Sequence, residues 1–179
     1  MDRLPDIAVA AVVPEREVDC DELVAGFAIG QINRGRHIRG LVQETYATHR
    51  SRLLRLVDLE TGRLYPISQF LGTHSVSCRL RTDYVAEATA VLRRIALLGA
   101  DLAICNRFSK LEAHGGGFRD EMLDLMQRHI PLLTIVPPPH LEAWREFTGG
   151  LAAELPPERS ALEAWFATTC PQPREATFH

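Results

Sequence analysis

The sequence predicts an α/β protein with a mostly parallel sheet and helices on both faces. Short apolar runs alternate with helix-like segments along the chain. Most of these runs are apolar throughout, as expected for parallel strands buried on both faces. The 179 residues, 46% of them hydrophobic, suffice for a sizeable core. We expect one domain over residues 1–170 and a flexible C-terminal tail over residues 171–179.

The first half of the chain predicts two strands, a helix and a hairpin. The apolar run Ile7–Val13 predicts a buried strand, and Ile38–Gln43 predicts a second one. Between them, an apolar stripe predicts a helix over Glu22–Asn33, which Asp19 or Asp21 can cap. Two further runs around a glycine-containing turn predict an antiparallel hairpin, Leu53–Asp58 and Arg63–Ile67.

The second half begins with a predicted polar loop, Ser68–Arg81, before a helix that Asp83 caps and that ends at Leu98. The apolar runs Asp101–Cys105 and Pro131–Val136 predict two more core strands. The remaining helices are predicted at Phe118–His129, His140–Phe147 and Ser160–Ala167.

Composition excludes several classes of function. The net charge of -3 and the pI near 6.2 give no basic field for a nucleic acid. No apolar run approaches the roughly 20 residues of a membrane span, and Asp2 and Asp6 are atypical of a signal peptide. The four cysteines form no C-x-x-C pair, which favours reduced thiols over a zinc cluster. We expect a cytoplasmic protein.

The most informative stretch is ICNRFSKLEAHGGGFRDEM, residues 104–122. Asn106 ends a predicted core strand, and Arg107 and the chain's only lysine, Lys110, follow in one loop. Gly115, Gly116 and Gly117 then precede a helix, whose free N–H groups attract anions. Ligands of parallel sheets bind at the carboxyl ends of strands, so an anion site here is reasonable. A loop with merely solvated charges is the alternative.

A second polar loop lies close by in the predicted fold. It supplies hydroxyl, thiol and guanidinium groups that can hold an oxyanion, from Ser75, Ser77, Cys78 and Arg79. Gln43 and Gln69 would add hydrogen bonds. An ordinary surface connection is the alternative. The sequence indicates no metal site, because His74 and Cys78 have no second pair of ligands.

A phosphate-binding loop is missing after the first strand. Nucleoside triphosphatases have G-x-x-x-x-G-K-[ST] there, in which backbone N–H groups and the lysine hold the phosphates. This chain instead reads VVPEREVDCDEL, with no glycine, no lysine and five acidic residues. The composition of this loop argues against ordinary ATP or GTP binding.

Three stretches resemble the small nucleoside-triphosphatase family first described from thermophiles, whose members have a RecA-like P-loop fold. They are HIRGLVQET, RLLRLVDLETGRLYPIS and ADLAICNRFSKLEAHGGGFRDEM. The third resembles that family's Walker B strand and loop, usually close to D-E-I-G-K-M-E. On this likeness Lys110 and Glu112 match, whereas Asn106 and Arg107 replace the acidic pair and Ser109 replaces a glycine. The resemblance implies a three-layer sandwich with a degenerate phosphate loop.

The chain more closely resembles a bacterial family of unassigned activity that is often encoded beside molybdate-transport genes. The likeness covers about residues 6–168 and is carried by Pro66–Gly72, Ser75–Leu80 and N-R-F-x-K-x-E at the start of Asn106–Glu121. It implies a link to molybdenum uptake or cofactor supply.

Together these features predict that the fold has survived and the NTPase activity has not. Losing the phosphate-loop lysine and both Walker B acids removes most of the electrostatics of phosphoryl transfer. We expect an inactive P-loop-like protein that binds a small anion, such as molybdate or a nucleotide-like ligand, or a protein partner in molybdenum transport or cofactor maturation. The alternative is a divergent nucleotide-binding enzyme, a nucleoside-triphosphate hydrolase or a transferase, that uses another base such as Glu112. The sequence assigns no cofactor, and the predicted ligand-binding residues are Gln43, Gln69, Ser75, Ser77, Cys78, Arg79, Asn106, Arg107, Lys110, Glu112, Gly115, Gly116 and Gly117.

Overall fold

A computed structural model describes residues 7–70, 78–80 and 82–172. The strands are β1 (Val9–Val12), β2 (Ile38–Ala47), β3 (Arg52–Asp58), β4 (Leu64–Pro66), β5 (Ser68–Phe70), β6 (Cys78–Leu80), β7 (Leu102–Ile104), β8 (Leu132–Ile135) and β9 (Ala153–Leu155). The α-helices are α1 (Cys20–Asn33), α2 (Thr82–Leu98), α3 (Lys110–Ala113), α4 (Arg119–Gln127), α5 (Leu141–Phe147) and α6 (Arg159–Thr169). A 3-10 turn, Pro138–His140, leads into α5.

The main sheet of the described residues has seven strands in the order β4-β3-β2-β7-β8-β1-β9. The five strands from β2 to β9 in this order run parallel. β3 and β4 add an antiparallel edge beside β2. The prediction of a mostly parallel sheet with an antiparallel hairpin is therefore confirmed.

Both faces of this sheet are buried against helices, which explains why its strands are apolar throughout. Along β1, Val9 and Ala11 join one hydrophobic cluster, whereas Ala10 and Val12 join the other. The first cluster includes side chains of α2, α4 and α5. The second includes side chains of α1 and α6. Successive side chains of a strand point to opposite faces, so the predicted three-layer α/β sandwich is confirmed.

The predicted loop Ser68–Arg81 is wrong at both ends. β5 and β6 form a separate antiparallel ribbon in which Ser68 pairs with Leu80 and Phe70 with Cys78. Each arm has only three residues and mixes polar with apolar side chains, so the sequence carries no strand periodicity there. Residues 71–77 lie outside the described part of the chain.

Smaller differences concern helix starts and short elements. The N-cap of α1 is Asp19, whose Oδ1 accepts a 3.0 Å hydrogen bond from the Glu22 N–H. The proposed cap Asp83 is wrong, because α2 already begins at Thr82. α3 and β9 were not predicted, since three or four residues are too few to show a period.

No helix among the described residues is both long enough and apolar enough to cross a membrane. Most of the predicted C-terminal tail, from residue 173 on, lies outside the described residues.

Candidate functional site

A cleft of about 700 Å³ opens where β2 and the segment after β7 lie side by side. One part of its wall is apolar and comes from β3, the residue after β4, α2, α3 and the start of α4: Leu54, Leu56, Ile67, Val85, Leu111 and Phe118. The other part is polar and comes from α1, β2 and the residues after β7: Asp21, Gln43, Thr45, Asn106, Arg107, Ser109, Lys110 and Glu112. The cleft therefore combines a hydrophobic wall with a few polar groups, as small-molecule sites commonly do.

Arg107 forms an ion pair with Asp21 in the first turn of α1. One guanidinium nitrogen, Nη2, lies 3.1 Å from Oδ1 and 3.0 Å from Oδ2 of the carboxylate. The side chains of Arg107 and Asp21 are only 26% and 15% exposed, so water screens the pair weakly. The Arg107 guanidinium is therefore already neutralised by the chain itself.

Two buried amides continue this contact toward the sheet. Gln43 donates a 3.3 Å hydrogen bond from Nε2 to Asp21 Oδ2, and its Oε1 accepts one of 3.2 Å from Asn106 Nδ2. The Cys105 thiol in turn lies 4.0 Å from Asn106 Oδ1. Asn106 thus uses its neutral amide to join β2 to the end of β7.

The Asp21 carboxylate is partly removed from water, which disfavours its charged form. Burial raises the pKa of the Asp21 carboxyl, and the opposing effect of Arg107 does not cancel that increase. A carboxylate this desolvated remains ionised only with cationic and hydrogen-bonding partners. The pair with Arg107 is therefore an electrostatic unit, and neither member is a free charge in the cleft.

The N-terminus of α1 is occupied by carboxylates from the same chain. Asp19 caps the helix, and Asp21 and Glu22 lie in its first turn. In P-loop proteins the corresponding N–H groups and helix dipole hold phosphate. Here the positive end of the dipole is compensated internally.

Glu112 fills the turn formed by the glycine-rich segment. Its Oε2 accepts a 3.0 Å hydrogen bond from the Ser109 N–H, and its Oε1 accepts one of 3.2 Å from the Phe118 N–H. The residue is 4% exposed. Gly117 lies behind it with φ +57°, and a Cβ there would collide with the carboxylate. Glu112 therefore closes this turn with its own negative charge.

Lys110 is the cation of the cleft that has no such partner. It is exposed at the start of α3 and borders the cleft. Among the residues whose side chains the structure describes, 7–68 and 84–172, no carboxylate forms an ion pair with its ammonium group. Lys110 can therefore accept a negative group from outside the chain.

The structure gathers five of the residues predicted from sequence around one cleft: Gln43, Asn106, Arg107, Lys110 and Glu112. Gly115, Gly116 and Gly117 lie in the turn between α3 and α4 and do not line it. The backbones at positions 69, 78 and 79 belong to β5 and β6, but the side chains of Gln69, Cys78 and Arg79 lie outside the described part. Ser75 and Ser77 also fall outside it.

Sequence reasoning missed the site role of Asp21 and the whole apolar wall. The sequence indicates Asp21 only as a possible helix cap and as one of five acidic residues after the first strand. Its partner Arg107 is 86 residues away, a separation that no local pattern reveals. Among the described residues, no group of three or more His, Cys, Asp or Glu side chains could hold a metal ion.

Comparison with known proteins places this geometry in context. Residues 9–165 match the family DUF2478, described as a protein of unknown function. Over 163 residues the chain is 37% identical to Molybdenum import ATP-binding protein ModC 2 of Bradyrhizobium diazoefficiens, a match that covers 90% of this chain and 18% of the relative. The chain thus spans less than one fifth of that relative's length.

Two solved structures share the fold. The crystal structure of THEP1 from the hyperthermophile Aquifex aeolicus has a TM-score of 0.62 at 19% identity, covering 89% of this chain and 95% of that one. The solution structure of a human cancer-related nucleoside triphosphatase has a TM-score of 0.60 at 16% identity, covering 82% and 86%. At these identities the likeness shows a P-loop NTPase-like fold and nothing finer.

Proposed function

The chain belongs to DUF2478, and we propose that it is a P-loop-fold protein that no longer hydrolyses nucleoside triphosphates. In this proposal it binds a small anion-bearing ligand in the cleft beside Lys110, in a role connected with molybdenum import. The observation that carries the proposal is the pair between Arg107 and Asp21 at the start of α1. In this proposal the Asp21 carboxylate takes the place of phosphate at the start of α1, because P-loop proteins hold phosphate at such a helix N-terminus.

Electrostatics support the loss of triphosphate binding. Two like charges about 4 Å apart repel by about 4 kcal/mol at an effective dielectric constant near 20. A triphosphate at the start of α1 would meet Asp19, Asp21 and Glu22 without a phosphate-loop lysine to offset them. Asn106 and Arg107 also supply no carboxylate to hold Mg²⁺.

Hydrolysis with Glu112 as general base is the competing function, and the contacts of Glu112 disfavour it. Both of its oxygens accept backbone hydrogen bonds, from Ser109 and Phe118. These bonds fix the carboxylate in the turn, and at 4% exposure little of it is within hydrogen-bond reach of an attacking water, as a general base must be. If the chain does release phosphate from ATP or GTP, loss of that release in Glu112→Gln would support this function instead.

The connection with molybdenum rests on the curated relative. A segment similar to 90% of this chain is part of a much longer protein named for ATP binding in molybdenum import. Segments that are joined covalently in one protein often act together as separate chains in another. We therefore propose that this chain acts together with an ATP-binding protein of molybdenum import.

Two assays on the purified chain test the loss of hydrolysis and the anion site. We expect no phosphate release from ATP or GTP with Mg²⁺, and no thermal shift with either nucleotide. A ligand present at about 100 times its Kd stabilises the native state by about 2.7 kcal/mol, so a panel of molybdate, tungstate, sulfate, phosphate and organic acids gives readable shifts.

The variants decide whether the cleft is the site. Any shift in that panel should shrink in Lys110→Ala and persist in Arg128→Ala, whose arginine does not line the cleft and pairs with Asp124 at the end of α4. Steady phosphate release, or a shift that is the same in both variants, contradicts the proposal.

The molybdenum role is tested separately, by co-purification with a tagged molybdenum import ATP-binding protein. Failure of the two proteins to associate, with or without ATP, contradicts that role.

A further inference from the structure

We infer that the ligand of the cleft is an organic monoanion with an apolar, ring-sized body, rather than a free tetrahedral oxyanion. This inference rests on the proposed function, since it names the chemical class of ligand for the same site. Three properties of the described residues carry it: the volume of the cleft, the composition of its wall and the balance of its charges.

The volume far exceeds what an oxyanion needs. The cleft measures about 700 Å³, within the range of about 300–1,000 Å³ that is typical for sites of drug-sized ligands. A water molecule occupies about 30 Å³ in the liquid, and an inorganic oxyanion of five heavy atoms occupies only a few such volumes. A single oxyanion would leave most of the cleft to water.

The wall composition favours a ligand with an apolar part. Six of the lining side chains are hydrophobic: Leu54, Leu56, Ile67, Val85, Leu111 and Phe118. They come from β3, the residue after β4, α2, α3 and the residue before α4, so several elements contribute apolar area to this one cleft. When an apolar part of a ligand covers this surface, the apolar area is removed from water, which stabilises the complex by about 25 cal/mol for each Å² buried. A hydrated inorganic anion makes no use of this surface.

The charge balance favours a single negative charge. Asp21 and Arg107 neutralise each other at 3.0 Å. Two backbone N–H groups stabilise the Glu112 carboxylate by hydrogen bonds, and it keeps its negative charge. Lys110 is then the remaining cation among the described lining residues. One ammonium group complements a carboxylate or sulfonate, whereas a dianion such as molybdate or sulfate would keep an uncompensated charge beside Asp21 and Glu112.

A fluorescent probe of this class provides the test. 8-Anilinonaphthalene-1-sulfonate carries one sulfonate on an aromatic body, and N-phenyl-1-naphthylamine is the same body without the sulfonate. We expect the sulfonate probe to bind the full chain more tightly than the neutral probe. In Lys110→Ala, affinity for the sulfonate probe should fall about tenfold, while affinity for the neutral probe should stay within about twofold.

Two further variants control for probe binding elsewhere on the surface. Thr45 is exposed at the mouth of the cleft, so Thr45→Trp should block the cleft and weaken both probes without disturbing the core. Arg128→Ala removes a distant arginine and should leave both affinities within about twofold. If the sulfonate probe binds equally well to wild type, Lys110→Ala and Thr45→Trp, the inference is wrong.

Competition separates this inference from the proposed function. Molybdate and sulfate should displace the sulfonate probe no better than sodium chloride at the same ionic strength. Specific displacement by molybdate that depends on Lys110 would overturn the organic monoanion and leave the proposed function standing. Hydrolysis of ATP or GTP would overturn the proposed function whatever the probes show.

Discussion

At the scale of single residues, two carboxylates of the chain itself occupy donor groups that could otherwise bind an external anion. Asp21 occupies the start of α1 beside Arg107, and Glu112 occupies the glycine-rich turn. The two carboxylates differ in their partners. Asp21 depends on a side chain distant in sequence, whereas Glu112 is held by backbone groups three and six residues away.

The raised pKa of Asp21 predicts a pH dependence of stability. Because burial raises this pKa above the ordinary value of 3.8, the folded state binds the proton more tightly than the unfolded state does. The free energy of unfolding therefore falls as the pH rises from 3.8 through the raised pKa. Asp21→Asn cannot titrate at this position, so the Tm of wild type should fall relative to the Tm of Asp21→Asn as the pH rises from 3.8 through the raised pKa. A shift in favour of wild type would mean that Arg107 outweighs burial.

Gly117 gives a second test at this scale. Its φ of +57° is in the left-handed region, and a Cβ would collide with the Glu112 carboxylate. Gly117→Ala should therefore lower the free energy of unfolding by about 1–3 kcal/mol. Gly116→Ala is the matched control, since that glycine does not have a left-handed φ and its nearest contact for a Cβ is at 3.5 Å.

Urea unfolding of the two glycine variants measures this difference. Gly116→Ala should stay within about 0.5 kcal/mol of wild type. Equal losses in both variants would show that Glu112 is not fixed by the close approach of Gly117.

At the scale of secondary structure, a buried carboxylate fastens the hairpin to α2. Asp58, the last residue of β3, is 1% exposed. It accepts hydrogen bonds of 2.8 Å from Arg94 of α2 and of 2.9 Å each from the Glu60 N–H and the Thr61 hydroxyl. The same hairpin supplies Leu54 and Leu56 to the cleft, so this contact holds one side of the apolar wall against the helix.

Removing this carboxylate should be costly. Asp58→Ala leaves Arg94 without its nearest partner and frees the turn, and we expect a loss of about 2–3 kcal/mol, discounted because Arg94 is one-third exposed. The control is Glu87→Ala, which removes the partner of Arg63 in a pair that is more than half exposed on both sides. That variant should lose no more than about 1 kcal/mol. Thermal unfolding of both variants distinguishes the two contacts.

The titration of Asp58 adds a pH signature. Burial alone would raise its pKa, but the hydrogen bonds from Arg94, Glu60 and Thr61 outweigh burial and hold the pKa below the ordinary value of 3.8. The stabilisation by Asp58 is thus complete above pH 3.8 and is lost as the pH falls through the lowered pKa. The stability gap between wild type and Asp58→Ala should therefore narrow in acid. A gap that is constant in acid would contradict this role.

At the scale of the whole molecule, the sequence predicts the elements that show a periodic or continuous apolar pattern. It does not predict very short elements or contacts between residues that are far apart in the chain. β1, β7 and β8 are largely apolar runs, and α2 and α4 show an apolar face with the helical period, so the three-layer sandwich was predictable. β9, α3 and the β5–β6 ribbon have three or four residues each, too few for any period.

The residues of the candidate site were predictable to the same extent. The sequence predicts the four that are close together in the chain: Asn106, Arg107, Lys110 and Glu112. The wall of Leu54, Ile67 and Val85 comes from separate elements and was indistinguishable from ordinary core. The resemblance to triphosphatases predicted the architecture, but the pairing of Asp21 with Arg107 required the folded chain.

The attachment of Asp21 to the same polypeptide as Arg107 has a thermodynamic consequence for every soluble anion. A tethered group acts at an effective concentration of about millimolar or above when its tether fits the span. An external anion can bind Arg107 only in competition with the Asp21 carboxylate. Its apparent Kd is therefore higher than it would be for an unpaired guanidinium. Anions at micromolar concentrations therefore do not bind to Arg107. Which ligand binds is decided instead by the ammonium group of Lys110 and by the hydrophobic surface of the cleft.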